Sequence, residues 1–336
     1  MVTRPDSAVL KRLVDARAWE QPFSLIDVGA SGGIASCWTA FGERFRAVGF
    51  DQYVNEVARL NSEERRPHVR YEAAFVGARD FDALFPSDLR TDDVRSKNNN
   101  PFSRVSASRV MKLLHQDYAA DAYNRGAPPV MATRRVALDD VLDAASVDFI
   151  KVDTDGHDIE VLLGADELIR SNVLGVLVEC WFNGASHPYG NTLANIDVFF
   201  RSRGFSLFDL DVNRYSRAAL PTRFVYEMPA QTVSGQVIWG DALYLRDLGD
   251  PSYDQKHLFA ITNDRVAKLA ALFALFGLGD CVAELLTTRA TAMPQPLRGE
   301  ILDMLPAEVG APAQTYAEYI AAFDRNPKSW YPSKVG

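Results

Sequence analysis

Cysteine is scarce in this chain. There are three in 336 residues, Cys37, Cys180 and Cys281, and no CxxC pair. An odd, scattered set argues against a disulfide framework or a cysteine-built zinc site and suits a reducing compartment. No uncharged apolar run approaches the roughly 18 residues of a membrane-spanning helix. The N-terminal stretch MVTRPDSAVLKRLVDARAW lacks the apolar core of a secretory signal, so the expected location is the cytoplasm. Positive charge is also in deficit: 36 Lys and Arg against 44 Asp and Glu, a net charge of -8. Counterion release on a nucleic acid needs a basic surface, so no nucleic-acid partner is expected. The local group Arg65, Arg66, His68 and Arg70 reads as a solvated loop. Repeats and low-complexity tracts are absent.

What is present suits a sizeable globular core, since 47% of the residues are hydrophobic. A helical pattern over 7–18 comes first. SLIDVG (24–29) then reads as a buried strand, followed by a Gly-rich turn, a helix near 34–42 and a second strand, RAVGFD (46–51). Another helix and the strand VRYEAAFV (69–76) follow. This cadence predicts an α/β fold with a doubly wound, mostly parallel sheet. The stretch 77–129 interrupts it with a long Asn- and Ser-rich loop and a helix near 107–123. A short strand and a helix opened by Asp139 lead to two more buried strands, 147–153 and 173–180, with helix 158–170 between them. A late antiparallel pair, 205–211 and 241–247, closes the sheet. Beyond about Pro251 the pattern is helical, over 263–288, 296–304 and 313–325. The expected organisation is a domain over 1–250 and a C-terminal helical appendage over 251–336. The apolar stripe Val266, Leu269, Leu272, Phe273 and Phe276 is expected to pack on the first domain or to form a homo-oligomer.

The first loop reads Asp27-Val-Gly29-Ala-Ser31-Gly32-Gly33. Its small residues let backbone approach a ligand closely, and the helix start after it can receive an anion. A dinucleotide fingerprint would need glycine at 29, 31 and 34, where this chain has Gly29, Ser31 and Ile34. Asp27 also suits an amine better than a phosphate. Asp51, followed by Gln52, ends the second strand, where an acid can take two ribose hydroxyls. The combination points to S-adenosylmethionine, with Asp27, Gly29, Ser31, Gly33, Asp51 and Gln52 as candidate contacts.

The stretch VDFIKVDTDGHDIEVLLGA (147–165) delivers Asp153, Asp155, His157 and Asp158 to a strand end. Charges packed there are costly unless paired or used. His157 is the candidate base, with Asp153 and Asp155 beside it, and Asp158 reads as an N-cap or first-turn acid stabilised by the helix dipole. Asp153, Asp155 and His157 are also suitable ligands for a divalent metal. Glu179 ends the next strand, and His187 and Tyr189 follow in its loop. These three are candidates for the acceptor side.

LIDVGASGGI (25–34), VGFDQY (48–53), RRVALDDVL (134–142), VDFIKVDTDGHDIEVLLGA (147–165), VLVECWF (176–182) and DALYLRD (241–247) together resemble the FkbM-type class I S-adenosylmethionine-dependent methyltransferases. The chain departs from the family's usual Glu-Gly pair and following Glu, having Asp155-Gly156 and Asp158 instead. The resemblance implies a Rossmann-like fold and O-methylation of a hydroxyl on a sugar, glycan or secondary metabolite, so a small-molecule or glycan substrate. The alternatives are a nicotinamide-dependent oxidoreductase, and a non-catalytic cofactor-binding scaffold in a biosynthetic complex.

Overall fold

A computed structural model describes residues 2–79, 130–143, 146–184, 190–216, 231–311 and 314–330. The helix expected near 107–123 and most of the 77–129 insertion lie outside them, as do His187 and Tyr189. In chain order the elements begin with helix α1 (Ala8–Asp15), strand β1 (Phe23–Val28), a 3-10 segment (Ser36–Arg44), β2 (Phe45–Asp51), α2 (Val54–Glu63), β3 (Val69–Ala73), β4 (Phe75–Val76) and β5 (Arg135–Val136). Next come α3 (Leu138–Val141), β6 (Phe149–Val152), α4 (Asp158–Leu163), α5 (Asp166–Ser171), β7 (Gly175–Trp181), α6 (Leu193–Arg201), β8 (Phe205–Tyr215) and β9 (Gln236–Arg246). The chain then turns helical, with α7 (Tyr253–Lys256), α8 (Asn263–Leu275), α9 (Gly279–Thr288), α10 (Gln295–Glu308) and α11 (Tyr316–Arg325).

Contacts divide the chain into two units. One comprises Ser24–Ile34 and Arg46–Arg246, the other Val2–Phe23, Ala35–Phe45 and Asp247–Gly336. A single cut at residue 250 separates the sheet strands from the C-terminal helices. It leaves with the sheet two N-terminal segments that the contacts group with those helices.

The first unit is built on a seven-stranded sheet of order β3-β2-β1-β6-β7-β9-β8. β1, β6 and β7 are parallel to one another, as are β2 and β3. β9 runs antiparallel to both β7 and β8 and lies between them. The expected doubly wound, mostly parallel α/β sheet is therefore the fold. β1, β6 and β7 are buried along nearly their whole length, so they read as apolar runs rather than alternations. β8, at the sheet edge, alternates between half-buried and exposed positions along most of its length instead. Strand order reverses between β1 and β6, and ligands of open α/β sheets bind beyond the carboxyl ends of the strands at such a point.

Several local expectations differ in detail. The single strand over 69–76 is two: β3 ends at Ala73, the Ala74 amide donates to Asp51 O, and β4 turns away to pair with β5. The segment 36–44 is 3-10 helix with a kink at Gly42, whose φ is +61°. Asp139 does not open its own helix. Its carboxylate accepts the amides of Glu167 and Leu168 and so caps α5, whose first N–H groups otherwise lack partners. Buried Arg246 serves the other end of α5, donating to Ile169 O and Arg170 O as well as to Val173 O. That satisfies last-turn carbonyls with a cation, as the helix dipole favours.

In the second unit, the helix expected over 263–288 is broken by Gly277 at φ +73° into α8 and α9. Every residue of α8 from Val266 to Leu275 is buried, so its apolar stripe is the centre of its own unit. Its partners come from the far end of the chain, within the 1–250 span, so of the two expected covers, the first domain or a second subunit, the first is present. α1 packs on α8, and Phe276 joins an aromatic layer of Phe23, Trp38, Phe41 and Phe45. Among the described residues no helix is long and apolar enough to cross a membrane.

Candidate active site

A cleft of about 590 Å³, open to solvent, lies at the carboxyl ends of β1, β2 and β6. Its walls include Gly29 and Ser31 after β1, Asp51, Gln52 and Tyr53 after β2, Phe75 on β4, and Asp153, Thr154, Asp155 and His157 after β6. Seven of the sequence-predicted residues therefore share one cleft: Gly29, Ser31, Asp51, Gln52, Asp153, Asp155 and His157. Asp27, Gly33 and Glu179 are not among its lining residues.

The Gly-rich loop passes the β6 end at backbone distance. Gly29 has φ +82°, and a Cβ there would sit 1.8 Å from Asp153 O. Only glycine fits. The amides of this loop are all engaged within the protein. Gly29 and Ala30 donate to Phe50 O, Gly33 to Ala30 O, Gly32 to Glu56 and Ile34 to the Tyr71 hydroxyl, while the Ser31 backbone bonds the Asp51 carboxylate. The helix start expected to receive an anion is thus closed, both because its amides are used and because the segment after it is 3-10. No amide nest remains for the pyrophosphate of a nicotinamide dinucleotide.

Asp51 is buried at the end of β2 and accepts the Tyr53 amide at 2.7 Å. Burial raises its carboxyl above the ordinary range, against the backbone hydrogen bonds that favour the charge. Asp27 is buried on β1, level with Lys151 on β6. Burial raises the Asp27 carboxyl as well, opposed by Lys151, whose Nζ lies 3.4 Å from it and 3.2 Å from Asp153. Desolvation would lower the Lys151 ammonium, but its two carboxylate neighbours outweigh that and raise it.

The loop 153–158 is held from inside by Asp158. This fully buried carboxylate accepts the Thr154 amide and hydroxyl, the Gly156 amide and the Asn191 side chain. Burial still pushes it up to about 6. Asp158 is the first residue of α4, as the expectation of a first-turn acid required, and it also ties the preceding turn together. Asp155 takes φ +53°, and Gly156 at φ +100° lies against the Trp181 indole, which a Cβ would meet at 2.2 Å. His157 precedes α4 with its side chain half exposed, its edge against Phe75 and its Nδ1 3.5 Å from Glu160. Glu179 is buried on β7 and accepts the Trp181 indole N–H at 2.9 Å.

Sequence reading overlooked Lys151, Thr154, Trp181 and Asn191. Lys151 carried a signal, as a lone cation inside an apolar strand. Asn191 carried none, because its two hydrogen bonds, to Asp158 and from the Ile159 amide, span more than thirty residues. Among the described residues no group of three or more His, Cys, Asp or Glu is arranged to hold a metal ion. Asp153 is engaged by Lys151, and His157 faces Glu160.

The family model described as Methyltransferase FkbM domain matches residues 93–207. The chain carries a methyltransferase FkbM domain. It is an S-adenosylmethionine-dependent methyltransferase. The matched residues include the whole β6–α4 motif and β7, but not the Gly-rich loop or Asp51. No curated protein matches the methyltransferase at a significant level. Among solved structures, a precorrin-6y C5,15-methyltransferase from Geobacter metallireducens GS-15 is 11% identical, with 70% of this chain and 87% of that one covered and a TM-score of 0.32. A SAM-dependent methyltransferase from Aquifex aeolicus is 9% identical, covering 72% and 92%, with a TM-score of 0.28. The N-terminal domain of EvdMO1, in the presence of SAH and D-fucose, is 10% identical, covering 72% and 84%, with a TM-score of 0.30.

Proposed function

We propose that this methyltransferase acts on a hydroxyl of a sugar, glycan or secondary metabolite, with the cofactor in the cleft between Asp51 and Asp153. The observation that carries the reading is the charge of that cleft. Among the described residues its lining includes the carboxylates of Asp51, Asp153 and Asp155 and no Lys or Arg. A sulfonium cation fits such walls, whereas a pyrophosphate is repelled. Gly29 supports the same fit, since its missing side chain lets the β1 and β6 ends meet below the cleft. When bound, S-adenosylmethionine supplies an electrophilic methyl group.

In this reading Asp51 accepts the two ribose hydroxyls, with Gln52 and Tyr53 beside it. Asp27 acts through Lys151, which holds Asp153 in place. An aliphatic hydroxyl is a weak nucleophile and needs a base within hydrogen-bond reach. His157 stands at the cleft wall, and Glu160 beside its Nδ1 favours the tautomer protonated there, leaving Nε2 to take the hydroxyl proton. Asp155 is an acceptor for further substrate hydroxyls, and His187 and Tyr189 belong to the acceptor side. The hydroxyl-bearing substrate class rests on the FkbM resemblance.

Two substitutions separate the walls. Asp51→Ala should weaken S-adenosylhomocysteine binding roughly tenfold in calorimetry, and an unchanged affinity would remove the ribose assignment. His157→Ala should keep that affinity and lose turnover by about 10²-fold or more. Wild-type turnover would exclude it as the base.

A further inference from the structure

We propose that the groove between α9, α10 and α11 seats a second copy of this chain, with two copies pairing through α11 about a two-fold axis. This surface belongs to the second unit, and none of its residues lines the cleft at the strand ends. α11 is a well-capped helix that buries none of its residues. Thr315 and Glu318 form a capping box at its start, and the Tyr316 amide donates to Asp303 on α10 at 2.9 Å. Tyr316, Tyr319, Ile320 and Phe323 fall at the i, i+3, i+4, i+7 spacing of one apolar face. Such a face is ordinarily covered, yet no residue of α11 is buried. Ile320 is 36% exposed, Phe323 41%, and Val309 just after α10 58%. Contiguous exposed apolar surface marks an association site.

The groove adjoins this face. Its floor is apolar, with Ala283 of α9 and Leu305 of α10 buried, and α11 contributes Tyr316, Tyr319 and Ile320. The charged groups of its described lining are Asp280 and Glu284, one turn apart on α9 and both exposed. Neither belongs to an ion pair among the described residues. Such a groove suits an apolar side chain with a cation beside it. α11 carries that combination itself. Arg325 ends the helix and Lys328 follows it, both exposed and outside any ion pair among the described residues. Two copies of α11 laid antiparallel across an axis at Ile320 set position 325 of one opposite position 315 of the other, which is the Tyr316 end that meets the groove. Arg325 of the partner subunit then faces Asp280 and Glu284, and Phe323 of the partner subunit lies over Tyr316. The same contacts recur on the other side of the axis, so the assembly closes at two copies. With a net charge of -8 on each chain, the complementary ends fix which faces meet. Anionic lipid, by contrast, would be repelled by the acidic rim.

Sedimentation velocity of the full chain over about 5 to 200 µM tests this, because the dimer fraction follows mass action. Wild type should pass from monomer toward dimer as concentration rises. Ile320→Asp, checked for folding by circular dichroism, should weaken the dimer about 100-fold or more by placing a charge in the apolar seam. Glu284→Lys and Arg325→Glu should each weaken it roughly tenfold, since the two-fold axis repeats every contact. Combined in one chain they should restore association to within about threefold of wild type, a rescue that simple surface damage does not give. A dimer insensitive to Ile320→Asp, or a double variant weaker than either single one, would overturn this pairing. A wild type that stays monomeric at about 200 µM would overturn it too and leave the groove to a basic segment of another protein.

Discussion

Two neighbouring loops build opposite walls of one cleft by opposite means. The loop after β1 works by lacking side chains: Gly29, Gly32 and Gly33 all take positive φ, and every amide from 29 to 34 is used internally. The loop after β6 works by burying one: Asp158 collects hydrogen bonds from Thr154, Gly156 and Asn191. The first loop is specified by sterics, which a single added carbon can violate. The second is specified by an electrostatic network, which depends on protonation and can be tuned.

The sharpest break in this comparison is Gly29→Ala. Left-handed strain and a clash with Asp153 O add, so about 3–5 kcal/mol of stability should be lost in urea unfolding. A loss below about 1 kcal/mol would mean that the two loops do not meet as described. Asp158→Ala should cost somewhat less, about 2–4 kcal/mol, because amides at Thr154 and Gly156 lose their buried acceptor. Faster amide exchange at those two residues, with β1 unaffected, would locate the damage in the second loop alone.

A third expectation uses pH. Glu179 is raised from an ordinary 4.5 to about 9, so between those values the folded chain holds a proton that the unfolded chain has released. Stability contributed by this group is full below about pH 4.5 and falls as pH rises toward 9. Glu179→Gln cannot titrate, and relative to wild type it should gain about 2 kcal/mol between pH 6.5 and 8. Parallel melting curves at the two pH values would contradict this. The smallest effect is expected at Gly32, which shares the positive φ of Gly29 but has nothing within 4 Å of its would-be Cβ. Gly32→Ala should cost only ~1 kcal/mol, the conformational part without the clash. A cost equal to that of Gly29→Ala would show that strain rather than contact governs the first loop.

Much of this arrangement was legible before any coordinates. The apolar runs in β1, β2 and β6, which lead to Gly29, Asp51 and Asp153, announced a parallel sheet with a cleft at one edge. That is why reading the strand ends brought together Gly29, Ser31, Asp51, Gln52, Asp153, Asp155 and His157, which line one cleft. Legibility failed where the partner is remote. Asp139 read as the cap of its own helix because the helix it does cap starts far along the chain. The stripe of α8 left two covers open, the first domain or a second subunit, because its actual cover, α1 and the segment 36–44, comes from the opposite end of the sequence.

Local chemistry decided the strand periods, the positive-φ glycines and which residue types crowd each strand end, because those follow from neighbours in the chain. The tertiary structure alone decided which acids are paired and which are open. Asp27 and Asp51 look alike in sequence, each an aspartate at a strand end. Only the packing of β6 beside β1 gives Asp27 a lysine and leaves Asp51 on the cleft wall. Charge state and exposure depend on distances between strands, and those are set by the sheet order rather than by sequence neighbours.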